Sequence, residues 1–371
     1  MMNNIQLAVL LVTYYIVCTL FSFLINWLFL KFSFTLGTRN VAAVNQVRWS
    51  TNVKPAIGGI SFFIIFLVSI SVVGALPRAD ATFFDKQLIG IIASACLGFL
   101  IGLADDAYNT NPLAKFIAQL TCAFILIISD VFIPVTGHHG VDYAITVTWV
   151  VGLMNSINML DNMDAITATT SICIISGIIL IVWLSGLSDT PHYLIMLTGV
   201  LGALSGFLYF NWNPSRLYMG DTGSQFLGVF LASTSMMFIW GFKNEASPEF
   251  LQLKQFVVPM LFFIVPLIDT ITVTFRRLLR KQSPFIGGKD HITHHLAYLG
   301  LSDRQVALVL LGVSLLSIPI SLLYVMDIIE WNFQATLGAF VYFFTVFFIF
   351  QYLYNKGKAR QANSVYLKPQ V

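Results

Sequence analysis

The sequence predicts an all-α, polytopic membrane protein with about eleven transmembrane helices, folded as a single integral membrane domain over residues 1–371. Hydrophobic residues make up 57% of the chain and charged residues only 10%, whereas a soluble protein carries about 25% charged residues. So few charges could not cover the surface of a soluble fold of this size. The same figures exclude intrinsic disorder, nucleic-acid binding and a disulfide-rich secreted scaffold.

Apolar runs long enough to cross a bilayer recur along the whole chain. A transmembrane helix needs about 20 such residues, and the runs are too long and uniform for the ~10-residue alternating strands of a barrel. The first run is also too long for a cleaved signal peptide, and the residues before it, MMNNIQ, carry no basic side chain. In order, the runs are 5–30, 57–76, 87–104, 114–133, 143–160, 168–187, 193–210, 223–242, 255–275, 305–325 and 333–354.

Cations are distributed unevenly between the two sets of alternating loops. With the N-terminus outside, the outer loops carry only Arg78, Lys86, Lys243 and Lys254, and the rest of the 20 Lys and Arg residues fall on the inner loops and the C-terminal tail. Because inner loops are enriched in Lys and Arg, this asymmetry predicts an outside N-terminus and a cytoplasmic C-terminus. The chain has no internal repeat that would favour a transporter built from inverted halves.

Aspartates and asparagines gather at the ends of several runs, all on the predicted inner face. They are Asp105, Asp106, Asn158, Asp161, Asp164 and Asp221. A spacing of three keeps Asn158 and Asp161 near one face of a helix. Mg²⁺ prefers carboxylate oxygens together with substrate phosphates, so this set predicts a Mg²⁺ site, with Mn²⁺ as a second option. The alternative is that each aspartate caps a helix end or is solvated in a loop.

Two glycine-containing turns on the same face suit the approach of an anion. The segment M-G-D-T-G-S, residues 219–224, opens the eighth run, and a helix N-terminus favours negative charge. The segment K-P-A-I-G-G-I-S, residues 54–61, precedes the second run, and its Lys54 can contact a phosphate. The alternatives are an ordinary helix cap in the first segment and glycine-mediated helix packing in the second.

The longest inner loop carries three histidines, His291, His294 and His295, among six Lys and Arg side chains. On a helix these histidines share one face. Zinc binding is disfavoured because the loop has no Cys and no H-E-x-x-H frame, and imidazoles beside cations better suit a diphosphate or a sugar. The alternative is an interfacial amphipathic helix. Asp269, near the end of the ninth run, either joins this site or pairs with Arg276.

These features together predict a membrane enzyme that acts on an anionic, water-soluble substrate and a lipid at the bilayer surface. A cation-coupled transporter is a distant alternative, because it would place its ionisable residues near the bilayer midplane. The predicted catalytic segments are residues 48–59, 105–119, 155–168, 211–224 and 276–304.

At these segments the chain resembles the polyprenyl-phosphate N-acetylhexosamine-1-phosphate transferases. Five motifs occur in the family's order: P-x-x-G-G, D-D, N-x-x-N-x-x-D-x-x-D, F-N-x-x-P…M-G-D-T-G-S, and a late histidine motif. The resemblance covers roughly residues 40–310. It implies ten or eleven transmembrane helices and a reaction in which polyprenyl phosphate attacks the sugar-linked phosphorus of a UDP-sugar, so that UMP leaves.

The resemblance also implies roles for individual residues. Asp105 and Asp106 match the paired catalytic aspartates, and Asp221 with Asp106 would bind Mg²⁺. Lys115 resembles a family lysine near the phosphates. The predicted substrate-binding residues are Lys54, Lys115, Asn158, Asp161, Asp164, His291, His294 and His295.

Three departures from the family pattern are visible. Asn162 and Ala165 stand where the third motif usually has glycines, and Asn109 stands where many relatives have a third acid. Asparagine tolerates a left-handed backbone, but Ala165 puts the local loop geometry in question.

The late histidine motif, H-I-T-H-H-L, looks closer to the branch that transfers N-acetylglucosamine than to the branch that makes lipid I. We therefore expect undecaprenyl phosphate and UDP-N-acetylglucosamine as substrates, with UDP-MurNAc-pentapeptide or a deoxy-hexosamine nucleotide as alternatives. The expected location is the bacterial inner membrane, with the active site on the cytoplasmic face. The oligomeric state stays open, a homodimer being one option.

Overall fold

The computed structural model describes residues 4–32, 54–75, 85–185, 191–240, 251–283, 288–326 and 328–366. Residues 48–53 of the predicted segment 48–59 and residues 284–287 of the predicted segment 276–304 lie outside these ranges. So do several loop cations, including Arg39, Arg48, Lys243 and Lys368. Throughout the described ranges the regular structure is helical. The helices are α1 (Asn4–Phe32), α2 (Gly59–Ala75), α3 (Lys86–Tyr108), α4 (Pro112–Ile128), α5 (His139–Leu160), α6 (Ile166–Leu184), α7 (Pro191–Asn211), α8 (Gly220–Ser235), α9 (Leu251–Phe262), α10 (Ile264–Leu279), α11 (Ile292–Tyr298), α12 (Asp303–Val325) and α13 (Phe333–Tyr366).

The predicted apolar runs coincide with these helices. Eight helices in the described ranges are long and apolar enough to cross a membrane, or nine if one bent pair counts as a single span. Two shorter apolar helices, α2 and α4, account for the second and fourth predicted runs. The all-α, multi-pass membrane fold is therefore confirmed, while the count of eleven and the orientation stay predictions.

The ninth run, expected as one continuous helix over 255–275, is instead broken. α9 and α10 meet at Phe263 with a bend of 90°. Pro266 lies in the first turn of α10, where a missing N–H costs nothing, but it could not continue the preceding helix. The bend brings α10 against α5 and leads the chain back toward α11.

α8 lies at the centre of the bundle. Its apolar window is 94% buried, against 22% for that of α1, and α3, α5 and α2 pack around it. Two glycines allow the closest approaches. A Cβ atom at Gly102 of α3 would lie 2.3 Å from the backbone oxygen of Asp221, and one at Gly59 of α2 would lie 2.2 Å from the backbone nitrogen of Gly223. The start of α8 can therefore sit directly against α2 and α3.

Helix ends next to this contact have identifiable caps. Asn109 adopts a left-handed conformation with φ 52° at the end of α3, and its N–H donates to the Asp105 carbonyl. Asn111 then caps α4, its side chain accepting a hydrogen bond from the N–H of Leu113 at 2.9 Å, with Pro112 in the first helical position. The short turn between α3 and α4 thus holds the paired aspartates close to the first turn of α4.

Candidate active site at the acidic end of the bundle

The end of α3, the start of α4, the end of α5 and the start of α8 meet at one end of the bundle. We call the side chains gathered there the acidic cluster, which comprises Asp105, Asp106, Lys115, Asn158 and Asp221. The sequence predicted that these residues lie on one face, and the structure brings them into direct contact.

Asp106 holds the first turn of α8. Its Oδ1 accepts a hydrogen bond from the backbone N–H of Asp221 at 3.0 Å. Its Oδ2 accepts from the N–H of Thr222 at 2.8 Å and from the Thr222 hydroxyl at 2.6 Å. A carboxylate is favoured at a helix N-terminus by the exposed N–H groups and the helix dipole. Asp106 therefore fixes the position of Asp221 through its backbone.

Lys115 bridges two other carboxylates. Its Nζ lies 2.8 Å from Oδ2 of Asp105 and 3.6 Å from Oδ1 of Asp221. The second oxygen of Asp105 accepts hydrogen bonds from the N–H and the hydroxyl of Thr110 at 2.9 and 2.6 Å. The side chains of Asp105 and Asp221 also interact with each other, and the positive charge of Lys115 offsets part of their mutual repulsion.

Asp221 is the more accessible of these two carboxylates. Its side chain is 33% exposed, against 11% for that of Asp105. Asn158 donates a hydrogen bond to Oδ1 of Asp221 and a second, of 2.8 Å, to the hydroxyl of Ser224. Asn158 thereby orients the Asp221 carboxylate from the α5 side, leaving part of it open to a ligand.

Asp161 lies next to this cluster, just beyond the end of α5. The pKa of Asp161 is raised to about 8, mainly by burial of its side chain. The negative charges of Asp221, Asp106 and Asp164 raise it further. Burial and the neighbouring negative charges therefore favour the protonated form of the Asp161 side chain.

The acidic cluster suits a hard cation. Within the described ranges, no three His, Cys, Asp or Glu side chains are arranged as a complete metal cage. Mg²⁺ does not need such a cage, since it is usually bound by one or two carboxylates together with substrate phosphates and water. The oxygen donors of Asp221 and its neighbours therefore fit Mg²⁺ or Mn²⁺, whereas the predicted roles of Asp221 and Asp106 as ligands stay predictions.

A second polar group joins the α5–α6 turn to the α7–α8 loop. Asp164 accepts hydrogen bonds from the N–H of Ser215 at 2.9 Å, from the Ser215 hydroxyl at 2.7 Å and from the Asn213 side chain at 3.0 Å. Lys54 donates to the Ser215 hydroxyl at 2.9 Å, lies 3.9 Å from Asp164 and sits over the ring of Tyr218. Lys54 and Asp164, predicted separately to bind substrate, therefore belong to one group.

The two departures in the third motif have different structural outcomes. Ala165 keeps the left-handed conformation that a glycine would favour, with φ 67°, and its N–H donates to the Asn211 side chain at 3.0 Å. Asn162, in contrast, has no positive φ. Its Oδ1 accepts a 2.7 Å hydrogen bond from the hydroxyl of Thr293, so the asparagine links this turn to α11 in a way that glycine could not.

The strain at Ala165 predicts an unusual response to substitution. In Ala165→Gly, relief of about 1–2 kcal/mol of left-handed strain offsets the added chain entropy and the lost methyl group. We expect its stability to lie within about 1 kcal/mol of the original. The matched change Ala168→Gly, in the regular part of α6, should cost about 1–2 kcal/mol. Thermal unfolding of the detergent-solubilised variants measures both, and equal losses would contradict the strain.

The segment that carries the late histidines, residues 291–295, packs against the end of the bundle through Asp269. We call it the histidine segment. The carboxylate of Asp269 accepts a hydrogen bond from the N–H of Ile292 at 2.8 Å and lies 2.8 Å from Nδ1 of His291. Of the two options left open for Asp269, pairing with Arg276 is therefore wrong. Arg276 instead donates to Gln351 and Asn355, both on α13, at 3.0 Å.

His294 and His295 are buried on the short helix α11. Burial, reinforced by neighbouring positive charge, lowers the pKa of His294 to about 3 and that of His295 to about 4. Both imidazoles are therefore neutral at physiological pH. They can act as hydrogen-bonding groups for a sugar or phosphate, but they do not add charge to the site.

These low pKa values predict that the protein loses stability in acid. The unfolded chain takes up a proton at His294 below pH about 6.5, whereas the folded chain does not, so stability falls as the pH falls below that value. At pH 5.5 the penalty from His294 is about 1.4 kcal/mol. The loss of stability between pH 7.5 and 5.5 should therefore be smaller by about this amount in His294→Gln, as measured by thermal unfolding. An identical pH dependence in both proteins would contradict the buried, neutral state.

Residues 88–239 match the family model described as glycosyl transferase family 4. This stretch of the chain is similar to members of that family. The matched region begins in the first turn of α3 and ends four residues after α8, in the π-helical turn Met236–Trp240 that continues it. It therefore contains the whole acidic cluster. The family resemblance read from the sequence motifs is confirmed.

Several curated proteins are similar over a larger part of the chain. A Bacillus subtilis protein named as a probable undecaprenyl-phosphate N-acetylglucosaminyl 1-phosphate transferase is 28% identical over 268 residues, covering 70% of each chain. A decaprenyl-phosphate N-acetylglucosaminephosphotransferase of Mycobacterium tuberculosis is 26% identical and covers 69% of this chain and 68% of its own. A phospho-N-acetylmuramoyl-pentapeptide-transferase of Chlamydia trachomatis is 28% identical, covering 68% and 71%. Family and relatives together support a polyprenyl-phosphate hexosamine-1-phosphate transferase.

The sequence did not predict the contacts of a second polar layer beneath the acidic cluster. Gln119 donates to Gln225 at 3.1 Å and accepts from Asn155 at 2.8 Å, and both glutamines are buried. Each of the three lies one helical turn further into the bundle than a member of the acidic cluster. Uncharged polar residues inside apolar runs were the available signal.

The last helix was predicted as an apolar run, but its contact with the histidine segment was missed, because its sequence carries no recognisable motif. The ring of Tyr354 lies 3.7 Å from that of His295, and the Arg276 guanidinium sits over Tyr354 at 3.9 Å. A Cβ atom at Gly357 would lie 2.3 Å from the backbone oxygen of His295. α13 therefore supports the histidine segment directly.

Proposed function

We propose that the chain transfers N-acetylglucosamine 1-phosphate from UDP-N-acetylglucosamine to undecaprenyl phosphate at the cytoplasmic face of a bacterial inner membrane. The observation that carries this proposal is the bridge from Lys115 to Asp105 and Asp221 at the end of an apolar bundle. There a lipid phosphate and a water-soluble diphosphate can meet. The relatives named as N-acetylglucosamine phosphate transferases support the choice of sugar.

The reaction joins two anions, so the protein has to align them and offset their charge. An oxygen of the lipid phosphate attacks the sugar-linked phosphorus. A new P–O bond forms while the bond to UMP breaks, and UMP leaves with the electron pair. Lys115 supplies a fixed positive charge between the two carboxylates, and Asp105, held by Thr110 and Lys115, can orient the attacking phosphate.

Asp221 and Asp106 would hold Mg²⁺ or Mn²⁺ in this scheme. When bound, the ion would neutralise negative charge on the diphosphate. Asp106 contributes by fixing the turn that carries Asp221. Asn158 keeps the Asp221 carboxylate in one orientation.

We assign the nucleotide to the neighbouring group formed by Lys54, Asp164 and Ser215. Lys54 offers a cation for a phosphate, while Asp164 and Asn213 offer hydrogen bonds for a ribose or a base. The hydrogen bond from Thr293 to Asn162 joins this side of the site to α11. His291, His294 and His295 would then lie toward the sugar and its phosphate.

A transfer assay on the purified protein tests this proposal. The protein in detergent receives undecaprenyl phosphate, Mg²⁺ and labelled UDP-N-acetylglucosamine, and label is followed into the organic phase together with UMP release. We expect labelled lipid, equimolar UMP and loss of both with EDTA, with restoration by added Mg²⁺ or Mn²⁺. Activity that survives EDTA would remove the metal from the scheme.

The same assay separates the competing substrates. UDP-MurNAc-pentapeptide is the second candidate, because the Chlamydia trachomatis relative is named as a pentapeptide transferase. Labelled lipid with that nucleotide or a deoxy-hexosamine nucleotide, and none with UDP-N-acetylglucosamine, would change the sugar but keep the reaction. Absence of lipid product from every UDP-sugar in a folded preparation would overturn the transferase. Ion-dependent uptake into proteoliposomes without chemical change would then favour the transporter.

A further inference from the structure

Gln119 is the centre of the second polar layer, which consists of Gln119 on α4, Asn155 on α5 and Gln225 on α8. Its Nε2 donates hydrogen bonds to the side-chain oxygens of Gln225 at 3.1 Å and of Asn155 at 3.3 Å. Its Oε1 accepts a hydrogen bond from Nδ2 of Asn155 at 2.8 Å. Gln119 and Gln225 are both buried. One carboxamide thus joins three helices, and the transfer scheme gives it no role.

The same three helices also meet one turn away, in the acidic cluster. Each residue of the second polar layer lies three or four positions from a member of the acidic cluster, and side chains at that spacing share one face of a helix. The pairs are Gln119 and Lys115 on α4, Asn155 and Asn158 on α5, and Gln225 and Asp221 on α8. The three helices therefore contact each other at two successive levels, one charged and one neutral.

The charged level depends on what is bound to it. The Asp221 side chain is 33% exposed, and an anionic substrate or a cation that reaches it would alter the balance of charge around Lys115. The second polar layer is uncharged and buried, so its hydrogen bonds do not depend on a ligand in the acidic cluster. It can therefore hold the three helices in one register whether or not the site is occupied.

The helix that most needs such a link is α4. Within the described ranges, α4 packs mainly against α3 and α5, and long side chains connect it to α8. By contrast, α5 and α8 are in backbone contact, because a Cβ atom at Gly228 would lie 2.6 Å from Cα of Met154. The hydrogen bond from Gln119 to Gln225 therefore sets how far Lys115 lies from the start of α8.

Stability alone does not account for amide groups at this depth. Nε2 of Gln225 has no acceptor among the described residues, and a buried donor without a partner is destabilising. Hydrogen bonds between membrane helices also contribute little stability on average. An apolar layer would pack without this cost, but it would not select one register as directional hydrogen bonds do.

We propose that Gln119 is a positioning residue for the transfer reaction, and that it holds α4 so that Lys115 lies between Asp105 and Asp221. The inference rests on the proposed function, in which Lys115 offsets the charge of two anions. Gln119 is buried one turn away from Lys115, so it acts through that lysine and does not touch substrate.

The variant Gln119→Met tests the proposal in the full-length protein, because methionine keeps the length of the side chain and removes its hydrogen bonds. We expect kcat to fall by about tenfold or more, toward the loss of about a hundredfold that a misplacement of about 1 Å can cause. The KM for UDP-N-acetylglucosamine should stay within about threefold of the original, since the charge of Lys115 is retained.

The matched control is Tyr14→Phe. It removes a hydrogen bond of 2.8 Å between α1 and Ser69 of α2, so it also breaks a link between helices, but in a different part of the bundle. Its kcat should be unchanged. An equal fall of kcat in Tyr14→Phe and Gln119→Met would show that any lost interhelical bond impairs turnover, and would overturn a specific role for Gln119.

A double variant separates positioning from stability. Gln119→Met alone leaves the side chain of Gln225 without its partner, which lowers the midpoint of thermal unfolding. Adding Gln225→Met removes both polar groups and should restore most of that midpoint, while kcat stays low. Recovery of kcat together with the midpoint would overturn the proposal. The double variant also replaces the single one if Gln119→Met does not fold.

Lysine labelling reports the position of Lys115 without any substrate. Acylating reagents attack only the free amine, and close carboxylates favour the ammonium form. Labelling of Lys115, followed by peptide mass spectrometry, should be about threefold or more faster in Gln119→Met than in the original protein. Lys54 is the internal control, because its side chain is 16% exposed against 17% for Lys115. Labelling of Lys115 that does not change relative to Lys54 would overturn the proposal.

The two readouts distinguish failure of this inference from failure of the proposed function. If the original protein forms no lipid product with any UDP-sugar, the transfer reaction is wrong and Gln119 has no role in it, whereas labelling still decides whether Gln119 positions Lys115. If lipid product forms and neither kcat nor labelling responds to Gln119→Met, the function stands and the positioning role is wrong.

Discussion

Replacing Asp221 with asparagine should reduce turnover by about 10²–10³-fold, the loss typical of removing one charge-stabilising group from an active site. The substitution removes a negative charge and a proposed metal ligand while leaving the size of the side chain unchanged. The position of the turn should not change, because Asp106 binds the backbone N–H of residue 221 and not its side chain. The transfer assay and thermal unfolding of the same preparation separate activity from folding.

The control for this change is Asp130→Asn at the other end of α4. Asp130 has a positive φ of 60°, a conformation that asparagine tolerates. Among the described residues, the charged partner that the structure gives for Asp130 is the exposed Lys86. Turnover in this control should be unchanged. Near-normal turnover in Asp221→Asn would exclude this carboxylate from the reaction.

Lys115→Gln should lower turnover by about a hundredfold or more. Without the lysine, the contacting carboxylates of Asp105 and Asp221 lose their shared cation, and removing one partner of a buried ion pair costs about 3–5 kcal/mol. The anionic substrates would also enter a site of greater negative charge. Measured kcat and KM should both worsen, since the lysine serves binding and reaction alike.

Two further variants serve as controls for the turnover of Lys115→Gln. Lys86→Gln removes a cation from an exposed pair and should leave turnover unchanged. Lys115→Arg keeps the charge but changes its geometry, and turnover in it should fall between the original and Lys115→Gln. An Lys115→Arg variant as inactive as Lys115→Gln would show that the shape of the ammonium group, rather than its charge, is what the site requires.

Much of the fold could be predicted because most of the helices, α11 excepted, are apolar runs that stand out from their flanking loops. The 90° bend at Phe263 could not be predicted in this way. Pro259 and Pro266 show only that a regular helix is difficult there, whereas the angle depends on how α10 packs against α5. The strain at Ala165 was visible as a departure from a glycine pattern, but only the backbone angle shows that the left-handed turn is kept.

The sequence predicted which residues form the candidate site, but not which contacts each of them makes. The aspartates stand out because charged residues are rare within and directly beside membrane-spanning apolar runs. The capping of α8 by Asp106 depends on Gly102, which lets two helices approach, and no local pattern reports this. The contact between Asp269 and His291 joins residues from separate helices, so the neighbouring Arg276 was an equally reasonable partner beforehand.

The contact between Gly357 and His295 has a practical consequence for anyone who expresses or mutates this protein. The final helix looks dispensable in the sequence, and its end is a natural place for an affinity tag or a deletion. A truncation that removes this helix after residue 350 would leave every recognisable motif intact and still withdraw one wall from the histidine segment. Defects that map to the tail should therefore first be examined as changes in enzyme function, before trafficking or expression is blamed.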